Sequence, residues 1–221
     1  MERKEEVYPF IKVAVVGAKR VGKTSLIERL CSKPFPSDES YSHTDKPASQ
    51  ITVIAADANG DDGNLLSQHD QTLQVKFVEC PYEADDETKR QVLEESFVTL
   101  LAYDITDRYS LDEVMKRWYP ALYAFSPESF KMLVGCKVDM VSERCVDLSD
   151  MSEMPKMFMI ETSAADRTNV DLLANILHIR ACHMIQKAKY REEAQDYYER
   201  VHDSDASFQK MSVHRCHFDV L

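Results

Sequence analysis

Three features that would assign a protein to a class are missing from this chain of 221 residues. No run of about 18 apolar residues occurs, so we expect no transmembrane helix. The N-terminal stretch MERKEEVYPF lacks the apolar core of a secretory signal peptide. The six cysteines include no Cys-x-x-Cys pair and no metal-ligand spacing, which favours a reduced, intracellular compartment.

An excess of positive charge is missing as well. The net charge is -11, with 38 acidic side chains against 27 basic ones. A protein that coats nucleic acid, or that overall charge holds to anionic lipid, has the opposite balance. We therefore expect no nucleic-acid partner, although this balance does not exclude a local basic site.

What the chain does contain is a repeated alternation of strand and helix patterns. Six short apolar runs, of which FIKVAVVG and SFVTLLAYDI are examples, are typical of strands, and stretches such as KTSLIERLCS carry apolar residues at helical spacing. This alternation predicts a mostly parallel six-stranded sheet with helices on both faces, a three-layer α/β domain over residues 9–190. Residues 1–8 would be an N-terminal extension, and residues 191–221 a helical extension and tail. Ser110 and Glu113 form a capping-box pattern at the start of one predicted helix.

The first strand pattern runs into a phosphate-binding motif. Gly17, Gly22, Lys23 and Thr24 satisfy G-x-x-x-x-G-K-[ST]. The glycines let the backbone curl so that its N–H groups face phosphate oxygens, and the following helix adds the positive end of its dipole. Lys23 would reach the β- and γ-phosphates, and the Thr24 hydroxyl would bind Mg²⁺. The predicted residues of this loop are Gly17, Val21, Gly22, Lys23, Thr24 and Ser25.

Two later motifs extend this pattern. LVGCKVD places Lys137 and Asp139 just after a buried strand, and IETSAAD follows the last strand. With GAKRVGKTS and AYDITDRYSLDEVMKRW, in this order, they make about residues 8–190 resemble the small GTPases of the Ras superfamily, most closely the Rab-type branch. The resemblance implies a P-loop NTPase fold, GTP or GDP and Mg²⁺ as ligands, and effectors or complex subunits as protein partners. It also implies a switch or scaffold role in intracellular vesicle or protein transport.

The resemblance further implies how the base is read. Asp139 would accept hydrogen bonds from the guanine N1 and 2-amino groups, which adenine does not present. The Lys137 stem would lie along the base plane. Backbone N–H groups near Ser163 and Ala164 would meet the guanine carbonyl oxygen.

Other parts of the family pattern match less well. Cys136 stands where the family has Asn or Thr, and Ala165 where a lysine often follows; both changes weaken the expected guanine affinity. Thr44 follows Tyr41 at the spacing of the threonine that binds Mg²⁺ in the family's first switch. The alternative for Thr44 is an ordinary loop threonine.

The second switch departs further, since VECPYEAD stands where the family has Asp-x-x-Gly-Gln. Glu79 replaces the Mg²⁺-linked aspartate, Tyr82 the glycine that senses the γ-phosphate, and Glu83 the glutamine that orients the attacking water. Pro81 removes a backbone donor. We therefore expect slow or absent hydrolysis and assign no catalytic residue. The alternative is a pseudo-GTPase, a structural subunit that does not cycle nucleotide.

Lys19 and Arg20 stand in the phosphate loop where the family mainly prefers small residues. They would crowd the attacking water, neutralise transition-state charge as an arginine supplied in cis does, or simply face solvent. A P-loop kinase or ATPase is a weaker third class, because it leaves CKVD and ETSA unexplained.

The C-terminal stretch HRCHFDVL has neither a C-a-a-X box nor a double-cysteine pattern. We therefore expect no direct prenyl membrane anchor. The expectation is a cytoplasmic protein whose recruitment to endomembranes, where it occurs, goes through a protein partner.

Overall fold

The computed structural model of the protein describes residues 10–31, 49–54, 73–94, 96–147, 150, 157–185 and 187. The chain divides into two compact units, Met1–Cys182 and His183–Leu221, and the described strands all lie in the first. The predicted N-terminal extension, the boundary at residue 190 and the C-terminal tail lie outside the described residues and stay predictions.

Six strands form one sheet within the described part of the chain. They are β1 (Phe10–Gly17), β2 (Ser49–Ile54), β3 (Leu73–Glu79), β4 (Val98–Asp104), β5 (Phe130–Cys136) and β6 (Phe158–Glu161). Their order across the sheet is β2-β3-β1-β4-β5-β6, and neighbouring strands are parallel except for β2 and β3. The prediction of a mostly parallel six-stranded sheet is confirmed.

Helical segments connect the strands. The α-helices are α1 (Lys23–Leu30), α2 (Asp86–Leu93), α3 (Arg108–Glu113), α4 (Tyr119–Phe125) and α5 (residues 170–185). A π-helical turn, Val114–Trp118, joins α3 to α4, and a 3₁₀ segment, Val138–Glu143, follows β5. None of the described helices is both long enough and apolar enough to cross a membrane.

Both faces of the sheet are covered. Successive strand residues point to opposite faces, and in β1 the alternating pairs Val13 and Val15, and Ala14 and Val16, are all fully buried. Ala14 and Val16 belong to a core cluster that includes residues of α2, α3, α4 and the π-helical turn, with Trp118 at 0% exposure. Helix α1 contributes nothing to that cluster and contacts β1 and β3, so it covers the opposite face. The result is the predicted three-layer arrangement.

The helix after β4 begins earlier than the sequence predicts. Helix α3 starts at Arg108, and the Asp107 carboxylate caps it by accepting a hydrogen bond from the Tyr109 N–H at 3.0 Å. The predicted capping box of Ser110 and Glu113 is therefore wrong, because Asp107 already occupies the N-cap position. Ser110 is instead buried, and its hydroxyl donates to the Asp107 carbonyl oxygen at 2.6 Å.

Candidate functional site

The turn from β1 into α1 has the curled backbone that the phosphate-binding motif predicts. Gly17, Arg20 and Gly22 all have positive φ angles, of 151°, 64° and 106°. Gly17 also lies against β4, since a Cβ atom on it would stand 2.2 Å from the carbonyl oxygen of Ala102. So close an approach of two backbones requires glycine. Gly22 is the N-cap of α1, so the loop leads directly to the positive end of the helix dipole.

The Lys23 side chain lies inside this loop. Its ammonium donates to the carbonyl oxygens of Ala18 at 2.8 Å and Gly17 at 3.3 Å, and it stands 3.7 Å from Glu79 Oε1. The residue is 5% exposed, and burial lowers the pKa of its amine, an effect that the Glu79 carboxylate opposes. A strongly desolvated cation at this point is suited to phosphate, which brings negative charge into the loop.

Thr24 and Glu79 form an oxygen pair beside Lys23. The Thr24 hydroxyl donates to Glu79 Oε2 at 2.7 Å. The contact follows from strand order, because β3 lies next to β1 and Glu79 pairs in register with Val15. A hydroxyl and a carboxylate are hard oxygen ligands that fit Mg²⁺, which keeps several waters and completes its shell with phosphate oxygens. The described residues contain no group of three or more His, Cys, Asp or Glu side chains that could hold a metal ion.

A cavity of about 170 Å³ lies between the start of α1, the 3₁₀ segment after β5 and the loop after β6. Five of the residues predicted to bind nucleotide line it: Gly22, Ser25, Lys137, Asp139 and Ala164. The other lining residues are Leu26, Cys136, Met140, Thr162 and Ala165. Gly22 belongs to both the phosphate-binding loop and the cavity wall. The predicted phosphate site and the predicted base site are therefore contiguous.

Backbone hydrogen bonds join the two loops that wall this cavity. The Val138 N–H donates to the Thr162 carbonyl oxygen at 3.2 Å, and the Thr162 N–H donates to the Gly135 carbonyl oxygen at 2.7 Å. Asp139 lies in the first turn of the 3₁₀ segment, and its side chain is exposed. The carboxylate is thus held by a fixed backbone at the mouth of the cavity.

Two predicted residues, Ser163 and Val21, are buried and are not among the residues that line the cavity. Ser163 is fully buried; its N–H donates to the Thr168 carbonyl oxygen at 3.0 Å, and its hydroxyl accepts from the Ala165 N–H at 3.1 Å. The Ser163 N–H is therefore already hydrogen-bonded within the loop after β6. Val21 is also buried and packs within the turn. Thr44 lies outside the described residues, so its predicted metal role stays a prediction.

Comparison with known proteins identifies the family. The family model described as the Ras family matches residues 12–181. The chain belongs to the Ras family. Mouse Rho-related GTP-binding protein RhoF is 23% identical to it over 193 residues, 87% of this chain and 78% of the relative, and human RhoF gives the same figures. Ras-related protein Rab-1D of Dictyostelium discoideum is 27% identical over 171 residues, 73% of this chain and 74% of the relative.

The match confirms the resemblance to small GTPases of the Ras superfamily. Both Rho-related and Rab-related proteins are among the relatives of this Ras-family chain. The Rab-type assignment therefore stays a prediction.

Cys136 packs its thiol against the phosphate-binding loop of this Ras-family chain. A Cβ atom placed on Gly22 would stand 3.6 Å from Cys136 Cβ and 3.9 Å from its Sγ. The Cys136 Sγ is 3.9 Å from the Val134 carbonyl oxygen, at most a weak hydrogen bond. Cys136 thus lacks the amide or hydroxyl group of an Asn or Thr, and it lies beside Gly22 where the cavity meets the phosphate-binding loop.

Two buried thiols should make the stability of the protein fall at alkaline pH. Burial raises the pKa of Cys136 from 9.0 to about 12 and that of Cys80 from 9.0 to about 11. The unfolded chain then releases protons that the folded chain keeps, so this contribution to stability is complete below about pH 8.5 and is lost as pH rises toward the folded pKa values. We expect Cys136→Ala to flatten the decline in melting temperature between about pH 9 and 11.

The matched control is Cys145→Ala, which removes an exposed thiol and should leave the slope unchanged. Melting curves across this pH range check the prediction. Equal slopes for Cys136→Ala and the unmodified protein would contradict it.

Tyr82 is hydrogen-bonded to the helix that follows β4. Its hydroxyl donates to Glu113 Oε2 at 3.2 Å, and Tyr109 donates to the other oxygen of the same carboxylate at 3.1 Å. Arg117, in the π-helical turn, donates to the Tyr82 carbonyl oxygen at 2.6 Å and lies 4.7 Å above the centre of the Tyr82 ring. Three contacts on one residue thus hold the segment after β3 against a different element of the fold.

Glu83 and Lys19 face one another across the mouth of the phosphate-binding loop. Their charged atoms are 3.8 Å apart, and their side chains are 81% and 60% exposed. A pair this exposed contributes little to stability. Lys19 therefore lies at the solvent-facing rim of the loop, as one of the alternatives for it predicts.

The sequence did not predict the apolar residues of the cavity, Leu26 and Met140, or the carboxylate of Asp104 that contacts Lys137. Leu26 and Met140 line the cavity next to predicted residues, and Leu26 follows Gly22 by one helical turn. Asp104 ends β4 and contacts Lys137. The signal for Asp104 was available, since it is a carboxylate in the otherwise uncharged strand pattern SFVTLLAYDI.

Proposed function

We propose that this Ras-family chain binds GTP or GDP with Mg²⁺ and hydrolyses GTP slowly or not at all. The observation that carries the proposal is the continuity of the phosphate-binding loop with the cavity flanked by Lys137 and Asp139. A nucleotide has a phosphate end and a base end, and the two half-sites meet at Gly22. The names of the relatives, a GTP-binding protein among them, agree with this ligand.

The residues of the loop fit the phosphate end. Lys23 would exchange its contacts with the Ala18 and Gly17 carbonyl oxygens for phosphate oxygens. Thr24 and Glu79 would hold Mg²⁺, which neutralises phosphate charge when bound. The curled backbone beside Gly22 directs its N–H groups to the same place.

The residues around the cavity fit the base. Asp139 offers a carboxylate at the cavity mouth, which accepts from the guanine N1 and 2-amino donors and finds no such pair on adenine. Leu26 and Met140 supply apolar surface for the ring faces. Lys137 also lines the cavity.

The proposal of slow hydrolysis rests on two residues of the segment after β3, Tyr82 and Glu83. Tyr82 is held by Arg117 and Glu113, so its backbone is not free to follow the γ-phosphate. Glu83 points to Lys19, and its side chain carries a carboxyl group without an amide N–H. It therefore lacks the amide donor with which a glutamine orients water.

Base selectivity tests the binding proposal. Heating the protein with GTP, GDP or ATP, each with Mg²⁺, should raise the melting temperature for the two guanine nucleotides only. Equal stabilisation by ATP would reject guanine recognition, and no stabilisation by any nucleotide would reject binding.

Asp139→Asn should change the preferred base. The amide replaces one acceptor by a donor, which clashes with a guanine donor and matches the carbonyl oxygen that xanthine carries at the same position. We expect weaker GDP binding and tighter binding of xanthosine diphosphate, measured by competition with a fluorescent nucleotide. The control is Asp112→Asn, on the exposed side of α3, where Asp112 pairs with Lys116. An unchanged guanine preference in Asp139→Asn would reject the role.

The cellular role that we propose is a switch or scaffold in intracellular vesicle or protein transport. The support is family membership and the name of the Rab-related relative. Partners would be effector proteins or subunits of a complex, in the cytoplasm or on an endomembrane reached through such a partner.

A second candidate function is a pseudo-GTPase, a structural subunit that holds its fold without cycling nucleotide. The observation that favours it is the fixed position of Tyr82. Its contacts link the segment after β3 to α3 whether or not the phosphate-binding loop holds a nucleotide. Chromatography of nucleotide released from the purified protein separates the two candidates. A bound guanine nucleotide supports the first, and an empty protein supports the second.

A further inference from the structure

A buried carboxylate stands directly behind the base cavity. Asp104 is the last residue of β4, pairs in register with Cys136, and is 5% exposed. Its Oδ2 lies 2.6 Å from Lys137 Nζ, and its Oδ1 accepts from both the N–H and the hydroxyl of Thr106 at 2.8 Å. Asp104 is not among the residues that line the cavity. It contacts the wall residue Lys137 from behind.

Lys137 stands at a strained point of the backbone. It has φ 65° and ψ 38°, the left-handed conformation that residues other than glycine rarely adopt. This turn carries the chain from β5 into the 3₁₀ segment and so sets where Asp139 lies. The Lys137 side chain runs from the cavity wall to Asp104 and is 36% exposed. A flexible lysine stem becomes a fixed wall only when its ammonium is tied at the far end.

We propose that Asp104 is a positioning residue for the nucleotide base: it holds Lys137 so that the lysine stem forms one rigid wall of the cavity. The inference rests on the proposed function, because the wall matters to a bound base. Thr106 fixes the Asp104 carboxylate in turn. Asp104 acts on the nucleotide through Lys137 alone, so its influence must vanish when the lysine ammonium is absent.

A double-mutant cycle tests this dependence. Asp104→Asn keeps the shape of the side chain and an acceptor for Thr106, while Lys137→Met keeps an apolar stem without the ammonium. Affinity and dissociation rate of a fluorescent GDP are measured for the unmodified protein, both single variants and the double variant. We expect Asp104→Asn to weaken binding about tenfold alone and by less than about twofold in the Lys137→Met background.

Thr106→Val gives a second test that leaves Asp104 in place. It removes the hydroxyl donor to Oδ1, and its smaller effect on affinity should likewise disappear with Lys137→Met. Melting temperatures accompany every measurement, because a purely structural role lowers stability without this dependence on Lys137.

Equal weakening by Asp104→Asn in both backgrounds, or no weakening in either, overturns the inference while leaving the proposed function intact. If Asp104→Asn fails to fold, the Thr106→Val pair decides by the same criterion. An unmodified protein that binds no guanine nucleotide overturns the proposed function and this inference together.

Discussion

Gly17→Ala will destabilise the domain severely, whereas Gly22→Ala will cost much less. At Gly17 the new Cβ would stand 2.2 Å from the Ala102 carbonyl oxygen, which belongs to the backbone of the neighbouring strand. Because neither strand can move away within the sheet, we expect a loss of about 3 kcal/mol or more in the free energy of unfolding. At Gly22 the nearest atom would be 3.6 Å away, so the cost is that of a left-handed alanine, about 1–2 kcal/mol.

Urea denaturation, followed by tryptophan fluorescence, measures the free energy of unfolding of both variants. Trp118 is the only tryptophan of the chain and is fully buried, so its fluorescence reports unfolding of the core around α3 and α4. The account is wrong about the β1–β4 contact if the two variants lose the same stability. A non-folding Gly17→Ala with a folded Gly22→Ala agrees with it.

Lys23→Met will weaken nucleotide binding on the order of a hundredfold or more while leaving the fold in place. The ammonium is the cation of the loop interior, and losing a buried charged contact to phosphate weakens affinity on the order of a hundredfold or more. Glu79 keeps its hydrogen bond from Thr24 after the substitution, and the methionine fills the space of the lysine stem. The fold is therefore expected to persist.

Lys19→Met is the matched control, since it removes a cation from the same loop. Lys19 is 60% exposed and pairs only loosely with Glu83 in the described structure. Titration with a fluorescent GDP should give near-normal affinity for Lys19→Met and an affinity lower by on the order of a hundredfold or more for Lys23→Met. Comparable losses in both variants would mean that general positive charge, and not the position of Lys23, holds the phosphates.

The fold and the curled backbone between Gly17 and Gly22 were predictable from the sequence because both depend on local pattern. Apolar runs identify strands, and Gly17 and Gly22 are required by backbone geometry that leaves few alternatives. The start of α3 was missed for a local reason too: Asp107 and Ser110 are both good N-cap residues, and the one nearer the strand wins.

The contacts of the segment after β3 and of the cavity wall were not predictable in the same way. Tyr82 and Arg117 are far apart in the chain, and only the packing of the π-helical turn on the segment after β3 brings them together. The pairing of Asp104 with Lys137 depends on the register of β4 with β5. Spacing within a motif carries no information about either contact.

The most direct test of the central claim is the identity of the bound nucleotide over time. The protein is loaded with GTP and Mg²⁺, freed of excess, incubated, and its bound nucleotide is separated by chromatography. The account predicts retained GTP, converted to GDP more slowly than the roughly 4 × 10⁻⁴ s⁻¹ of an ordinary small GTPase acting unaided. Conversion at that rate or faster would contradict the proposed slow hydrolysis, and a protein that retains no guanine nucleotide would contradict the proposed nucleotide site.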